Sequence, residues 1–157
     1  MAYKRKTWQE KLADDKDFPR VVEITDKMSK RWGTGTLVIP APREVNEIMA
    51  KVPGGKLITI NQIRALLAQT HGATIGCPIT TGIFVGIAAR AAEEAAAEGR
   101  TDTTPYWRTL KSSGELNPKY PGGIEAQSHH LQAEGHTIDR RRKTPRVQDF
   151  EKALVEV

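Results

Sequence analysis

The longest helical signal in the sequence spans residues 80–98 and restricts the fold more than any other segment. Its first half is apolar almost all round. The large apolar residues of this half are Ile83, Phe84, Val85 and Ile87. A helix without a polar face is either buried or forms a close contact surface. Thr80 or Thr81 is placed to cap the start of this helix, and Gly99 to end it.

The length and composition of the chain set its class. A chain of 157 residues buries a core as one domain without disulfides or metals. No apolar run approaches the ~18 residues of a membrane span, and the first residues lack the apolar segment of a secretory signal. Cys77 is the only cysteine, which excludes an internal disulfide and a cysteine-only zinc site. We expect a cytoplasmic protein with no membrane partner, no cofactor and no metal.

Other segments surround the long helix. Helices are predicted at 7–15, 20–32, 42–52 and 124–134, and from a Thr59 cap to about residue 69. Residues 37–39 are predicted to be extended, residues 70–78 a loop, and the tail a basic hairpin followed by a short helix near 147–154. The predicted class is therefore mainly α with minor β, in a winged-helix-like arrangement with a helix-turn-helix.

This arrangement predicts three parts along the chain. An N-terminal helical arm covers residues 1–41, a winged-helix-like domain covers 42–136, and a basic tail covers 137–157. The net charge of +5 lies in the two flanks, because residues 41–99 carry five basic and five acidic side chains. The basic clusters are Lys4, Arg5 and Lys6, and Arg140, Arg141, Arg142, Lys143 and Arg146. Such clusters are either arms that bind phosphates or solvated tails.

One strip of the long helix carries small residues. At ~100° per residue, Gly82, Gly86, Ala89 and Arg90 share about a third of its circumference. This strip allows another backbone to approach closely. Tight helix–helix packing and contact with a nucleic-acid backbone are both consistent with it.

Several motifs together resemble one protein family. Residues 52–63 (VPGGKLITINQI) are similar to a segment of the O6-alkylguanine-DNA alkyltransferases and the alkyltransferase-like proteins. Further on come PYWR at 105–108, SSGELN at 112–117 and YPGGI at 120–124, followed by Gln127, Leu131 and Glu134. These motifs have the order and nearly the spacing of the family, over residues 43–136.

The resemblance implies a winged-helix-like domain that binds double-stranded DNA in the minor groove and holds an alkylated guanine in a pocket. On this alignment the DNA-binding residues are Thr59, Asn61, Gln62, Gly82, Gly86, Arg90 and Arg100, to which the basic tail adds Arg140, Arg141 and Arg142. The base pocket is assigned to Pro105, Tyr106, Trp107, Arg108, Ser113 and Tyr120. The resemblance also implies a nucleoid location and excision-repair proteins as partners that receive the lesion.

The chain departs from the catalytic members of the family at the reacting residues. Tyr106 stands where the alkyl-accepting cysteine would be, and Trp107 where the histidine base would be. A phenol with a pKa near 10 does not replace a thiolate, and an indole accepts no proton. Ile60 replaces the family tyrosine that rotates the target nucleotide. The arginine that fills the vacated base stack aligns either with Ile83, where it is lost, or with Arg90.

These departures favour a non-catalytic DNA reader of the alkyltransferase-like type. Two alternatives stay open: a divergent methyltransferase that uses Cys77, and a general winged-helix DNA-binding or interaction module. A helix N-terminus favours an ionised thiol, but a small buried residue is the simpler interpretation of Cys77. Tyr106 and Trp107 either stack on a base or pack in the core, and Arg108 is either a phosphate ligand or a structural residue.

Overall fold

The computed structural model describes residues 6–15 and 17–157. The helices of this part are α1 (Trp8–Ala13), α2 (Asp26–Trp32), α3 (Pro42–Ala50), α4 (Ile60–His71), α5 (Pro78–Ala97) and α6 (Gly123–Ala133). The strands are β1 (Arg20–Glu23), β2 (Thr36–Ile39), β3 (Ile58–Thr59), β4 (Ile75–Gly76), β5 (Thr109–Leu110), β6 (Ile138–Asp139) and β7 (Arg146–Val147). Short 3-10 helices occupy Tyr106–Arg108 and Phe150–Ala153. The predicted class, mainly helical with minor β, is confirmed, and the winged-helix-like arrangement stays a prediction.

Helix α4 begins at the predicted cap. The Thr59 hydroxyl accepts a hydrogen bond from the backbone N–H of Gln62, and the Gln62 side chain accepts one from the N–H of Thr59. This reciprocal capping box satisfies two N–H groups that have no partner within the helix. The helix ends at Gly72, whose φ of 63° is left-handed and favours glycine. The helix thus extends two residues beyond its predicted end at about residue 69.

The connection between α4 and α5 is tighter than the predicted loop. Strand β4 lies within it, and a Cβ at Gly76 would come within 2.7 Å of the carbonyl oxygen of Arg64. Glycine is therefore required for β4 to cross α4 at this distance. The Arg64 guanidinium closes the same junction by donating to the Gly76 carbonyl at 2.9 Å. The two central helices are held together at one short crossing.

The predicted cap of α5 was wrong by three to four residues. The helix begins at Pro78, and Cys77 rather than Thr80 or Thr81 is its N-cap. The Cys77 sulfur accepts from the backbone N–H of Thr80 at 3.5 Å. Proline suits the first helical position because its missing N–H would have no partner there. Thr81 is instead fully buried.

A three-stranded sheet lies in the N-terminal part of the chain. Strand β1 pairs antiparallel with β2, and β2 pairs parallel with β4. The predicted helix at 20–32 is therefore wrong over its first six residues, of which the first four form β1. The β-branched pair Val21 and Val22 forms a strand there, and Thr25 then caps the shorter helix α2.

Helix α5 is the centre of the larger core. Its buried residues, apart from Thr81 and Val85, are alanines: Ala88, Ala89, Ala91, Ala92 and Ala95. These short side chains let α1, α3 and α4 pack closely against it. The other buried members of this cluster are Val38, Val45, Met49, Val52, Ile58, Ile63, Leu67, Tyr106 and Tyr120. Within residues 6–15 and 17–157, none of the helices has the length and the apolar content needed to span a membrane.

A second, smaller core ties the C-terminal part of the chain to the middle. It consists of Leu57, Leu110, Leu116, Leu131 and Val147. Strands β3 and β5 run parallel beside it, and the Leu57 carbonyl accepts from the N–H of Val155 at 2.9 Å. The predicted hairpin of the tail is present as β6 and β7. The tail therefore contacts the central residues at Val147 and Val155.

The second core supplies the first prediction. Leu131 is fully buried, so Leu131→Ala removes packed methyl groups and leaves a cavity. We expect the free energy of unfolding, measured by urea denaturation, to fall by about 2–5 kcal/mol. The matched control Ile79→Ala truncates a side chain that is 59% exposed and should change it by less than about 0.5 kcal/mol. Equal losses in the two variants would contradict this assignment of the core.

Candidate functional site

The first turns of α5 present an unpartnered strip to the outside. Ile79 is 59% exposed and Ile83 is 55% exposed, and both are among the exposed large hydrophobic residues of the described chain. Between them lies Gly82, at which a Cβ would meet no atom within 4 Å. One turn further, Gly86 is bordered only by the side chain of Arg90. The strip is therefore apolar, and the helix backbone is open to approach at Gly82, whereas the Arg90 side chain lies over Gly86.

Arg90 closes the far end of this strip. Its guanidinium lies 5.1 Å from the centroid of the Trp8 ring and donates to the carbonyl of Lys119 at 3.1 Å. The Trp8 ring also contacts Lys11, whose Nζ is 4.1 Å from the ring centroid. Cations attracted to an aromatic ring keep their full charge. Arg90 is thus held in place without being neutralised by a carboxylate in the described chain.

The sequence up to the end of the strip at Arg90 carries basic but no acidic side chains after Glu47. The sequence has no Asp or Glu between Glu47 and Glu93, a stretch that includes all of α4 and most of α5. Its basic residues are Lys51, Lys56, Arg64 and Arg90. The Arg64 guanidinium bonds to two neutral oxygens, the Gly76 carbonyl and Asn61 Oδ1. Within the two helices, acidic side chains occur only at Glu93 and Glu94, beyond Arg90 near the end of α5.

Two of the three predicted DNA-binding residues near the start of α4, Thr59 and Gln62, already form hydrogen bonds that cap the helix. Thr59 is buried, and both its hydroxyl and the Gln62 side chain belong to the capping box. Gln62 also donates to the carbonyl of Val155 at 2.8 Å. Asn61 is exposed and lies next to Arg64. Of the three, Asn61 is free to contact a ligand without disturbing the start of α4.

The predicted basic contacts divide into paired and unpaired groups. Arg100 bonds to Asp102, Arg140 to Glu125 and Arg141 to Asp139, as side-chain ion pairs. Hydrogen bonds from Arg141 hold the pKa of the Asp139 carboxyl well below its usual range. Arg142, in the turn between β6 and β7, is exposed. Its charge, like that of the neighbouring exposed Lys143, is available to a polyanion. Lys4 and Arg5 lie outside the described residues.

The tyrosines assigned to the base pocket fill the core. Tyr106 is 2% exposed and Tyr120 is 3% exposed. Their rings meet edge to face, with centroids 5.3 Å apart, and Tyr120 donates to the carbonyl of Thr109. Burial, followed by the nearby charge of Glu93, raises the pKa of Tyr106 to about 12. The Tyr106 phenol therefore stays protonated at neutral pH.

The remaining pocket residues form a structural framework around these rings. Trp107 stacks on His130, with centroids 4.0 Å apart and planes 10° from parallel. Arg108 forms an ion pair with Glu134 and donates to the Val52 carbonyl at 2.7 Å. Ser113 lies exposed in a turn, and Pro105 is half-buried ahead of the 3-10 helix. A base pocket at these residues stays a prediction, and it requires one of the aromatic rings to move.

The structure has open space next to the predicted base pocket rather than within it. A shallow cleft of about 350 Å³ is lined by Trp8, Arg90, Glu93, Glu94, Ala97 and Pro121. Glu93 connects it to the buried cluster, because its carboxylate accepts from the Tyr106 hydroxyl at 3.3 Å. Glu94 has another role, since it accepts from the backbone N–H groups of Trp8 and Gln9 and so fixes the start of α1. The cleft combines an indole, a guanidinium and a carboxylate.

Cys77 is placed as a structural residue. It is buried, and its sulfur lies 3.1 Å from the Thr80 hydroxyl as well as accepting the backbone bond that caps α5. Among the residues that the structure describes, no group of three or more His, Cys, Asp or Glu side chains is arranged to hold a metal ion.

Sequence reasoning missed two features of this site. The exposure of Ile79 and Ile83 was not predicted, because the apolar pattern of α5 runs almost all round the helix and gives no direction. Arg64 was overlooked as well. The absence of acidic residues between 47 and 93 was the available signal for it.

Comparisons with known proteins give distant similarities. No family model and no curated protein matches the chain. A solved structure of S. pombe Atl1 in complex with damaged DNA containing O6-carboxymethylguanine is 18% identical, with a TM-score of 0.49. A second structure, S. pombe ATL in complex with DNA, is 16% identical, with a TM-score of 0.47. Each match covers 74% of this chain and 94% of the other.

The pair of Arg108 and Glu134 generates a pH prediction. Burial alone would raise the pKa of Glu134, but hydrogen bonds from Arg108 lower it below its ordinary value. A lowered pKa in the folded state means that the stabilisation is present above the unfolded pKa of about 4.3 and is lost as the pH falls through the folded value. Glu134→Gln should cost about 1–3 kcal/mol of unfolding free energy at neutral pH.

The difference between wild type and Glu134→Gln should shrink as the pH is lowered below about 4.3, in urea titrations at a series of pH values. Glu125→Gln is the matched control, because Glu125 pairs with Arg140 at the surface and its side chain is 70% exposed. Its stability should follow wild type throughout. A constant gap between wild type and Glu134→Gln would contradict the pair's role.

Proposed function

We propose that this protein is a non-catalytic DNA-binding protein that reads damaged, alkylated bases in the double helix. The observation that carries the proposal is the charge and shape of the unit formed by α4 and α5. Its sequence contains no carboxylate before Glu93 and Glu94 near the end of α5, and its outer strip exposes helix backbone at Gly82. A polyanion is the partner that such a surface attracts.

The strip suits the minor groove. Large side chains would hold a helix away from the floor of this narrow groove, whereas glycines let its backbone approach. Arg64 and Arg90 border the strip with charges that the described carboxylates leave unpaired. Arg142 and Lys143 in the turn between β6 and β7 are exposed and would add contacts to phosphates. These contacts position the protein on DNA of any sequence.

Recognition of the damaged base is the finer part of the proposal. The order of motifs, which resembles that of the alkyltransferase-like proteins, supports recognition of a damaged base. The cleft lined by Trp8 and Pro121 supports it as well, because it offers space for a base. Arg90 belongs to both the strip and this cleft. Stacking of a base on an aromatic or guanidinium plane supplies ~1–3 kcal/mol. A base displaced from the helix would therefore meet Arg90 and the indole of Trp8.

The residues argue against alkyl transfer. Tyr106, at the aligned acceptor position, is buried, and its raised pKa keeps it protonated. Trp107, at the position of the base, is stacked on His130 and accepts no proton. Cys77 is buried in the cap of α5. The protein would bind the lesion and leave its chemistry to others.

Gly82→Glu tests the placement of α5. The site has room for a side chain, and glutamate favours helix more than glycine does, so the fold should be retained. A carboxylate at this point would face the phosphates, and fluorescence anisotropy with a short duplex should show binding weakened at least about tenfold, or ~1.4 kcal/mol. Ala96→Glu, which adds the same charge at an exposed position of the same helix, should retain most of the affinity. Equal losses in both would refute this placement.

Arg90→Ala tests damage recognition. It should weaken binding to a duplex containing O6-methylguanine more than binding to the matched undamaged duplex, because Arg90 lies at the cleft. Arg142→Ala is the comparison variant. It should weaken both duplexes equally and reduce the slope of log K against log salt by about 1, as the loss of one phosphate contact does. Equal affinity of wild type for the two duplexes would reject damage recognition and leave general DNA binding.

A further inference from the structure

A groove beside the first half of α5 shares no lining residue with the cleft at Arg90. It encloses about 540 Å³, and its apolar lining consists of Phe18, Pro42, Phe84 and Ile87. Phe18, Phe84 and Ile87 are half-buried, so each leaves part of its side chain open to the groove. The rings of Phe18 and Phe84 lie 6.4 Å apart and form an aromatic corner.

The groove runs along one stripe of α5. Thr80, Phe84 and Ile87 line it and follow one another at spacings of four and three residues, so they stand in a row about two turns long. At ~100° per residue, this row lies roughly 100° around the helix from the strip of Ile79 and Ile83. A ligand in the groove therefore leaves the strip uncovered.

The charged residues of the groove leave a positive border. Lys6 forms an ion pair with Asp14, which is the one carboxylate among the lining residues. Lys11, also in the lining, lies over an aromatic ring, and Arg20 lies 5.5 Å from the centroid of the Phe18 ring. Because cations over aromatic rings keep their charge, Lys11 and Arg20 can attract an acidic group at the edge of the groove.

We propose that this groove binds a short helical segment of a partner protein, with apolar side chains on one face and acidic residues beside them. Grooves of this kind bind amphipathic helices through anchors at positions i, i+3 or i+4, and i+7. A row of two turns on α5 matches the length of such a set of anchors. Lys11 and Arg20 complement the acidic residues, which orient the segment and increase its rate of association. The proposal does not depend on DNA binding.

A nucleic-acid strand fits this groove less well. The apolar lining offers no side-chain N–H or O–H group to a phosphate, and burial of a charge without a hydrogen bond is costly. A base stacks on the face of an aromatic ring. The planes of Phe18 and Phe84 are 54° apart, so one flat base cannot lie on both rings.

The test begins with a displayed library of random 16-residue peptides, selected on the immobilised full chain without DNA. Enriched sequences should share apolar residues at helical spacing and Asp or Glu next to them. One enriched peptide is then synthesised with a fluorescent label, and its affinity is measured by anisotropy. Phe84→Ala should weaken this peptide at least about tenfold, or ~1.4 kcal/mol, and leave the affinity for a DNA duplex unchanged.

Matched variants separate the groove from general effects. Phe84 also packs against the larger core, so Phe18→Ala, on the other side of the aromatic corner, repeats the test without altering α5. Lys11→Gln should weaken the peptide about threefold at low salt and less at high salt. Val21→Ala and Lys27→Gln change exposed residues outside the groove and should bind the peptide as wild type does.

Three results would overturn the proposal. They are a selection without enrichment, enriched peptides that Phe18→Ala and Phe84→Ala bind as tightly as wild type does, and complete displacement of the peptide by a DNA duplex. The last result, together with weaker duplex binding by Phe84→Ala, would assign the groove to DNA. Duplex binding by the wild type, measured in the same buffer, reports on the proposed DNA binding separately.

Discussion

Close packing against the alanine face of α5 is the constraint on which the rest of the structure depends. Ala88, Ala91, Ala92 and Ala95 are buried, and their short side chains allow α1 and α3 to lie directly on the helix. Because this face is used fully for packing, the opposite face of the first turns has no element left to cover it. The exposure of Ile79 and Ile83 is thus a consequence of how the core is built. An apolar strip of this kind persists at a cost in solubility unless it has a partner.

Two groups of arginines in the described chain have different roles. Arg43, Arg100, Arg108, Arg140 and Arg141 each bond to a carboxylate within the described chain. These pairs connect segments or close turns, and their net charge is zero. Arg64 and Arg90 instead use carbonyls, an amide oxygen and an aromatic ring. Their geometry is fixed while their charge stays available, which is the combination that recognition of phosphates requires.

The sequence predicted those parts of the fold that local chemistry decides. Thr59 and Gln62 form the start of α4 because a capping box is encoded within four residues. Strand β1 was missed because Val21 and Val22 acquire their conformation from pairing with β2, which is distant in sequence. At the site, Arg90 was recognised from its helical spacing, but its contacts with Trp8 and Lys119 depend on tertiary packing. The same limit applies to Tyr106, because the motif gives its position in the chain but does not show that it is buried.

The loss of a reactive centre is consistent with how damage would be detected here. A transferase must hold the alkyl group against a nucleophile, which requires an open pocket with a thiolate and a base. In this chain the aligned positions are taken by Tyr106 and Trp107, which instead stabilise the region beneath Arg90 through packing. A protein that binds DNA without reacting with it needs no such pocket. The proposed DNA binding needs a rigid helix and charges that stay available, and α5 with Arg64 and Arg90 supplies these.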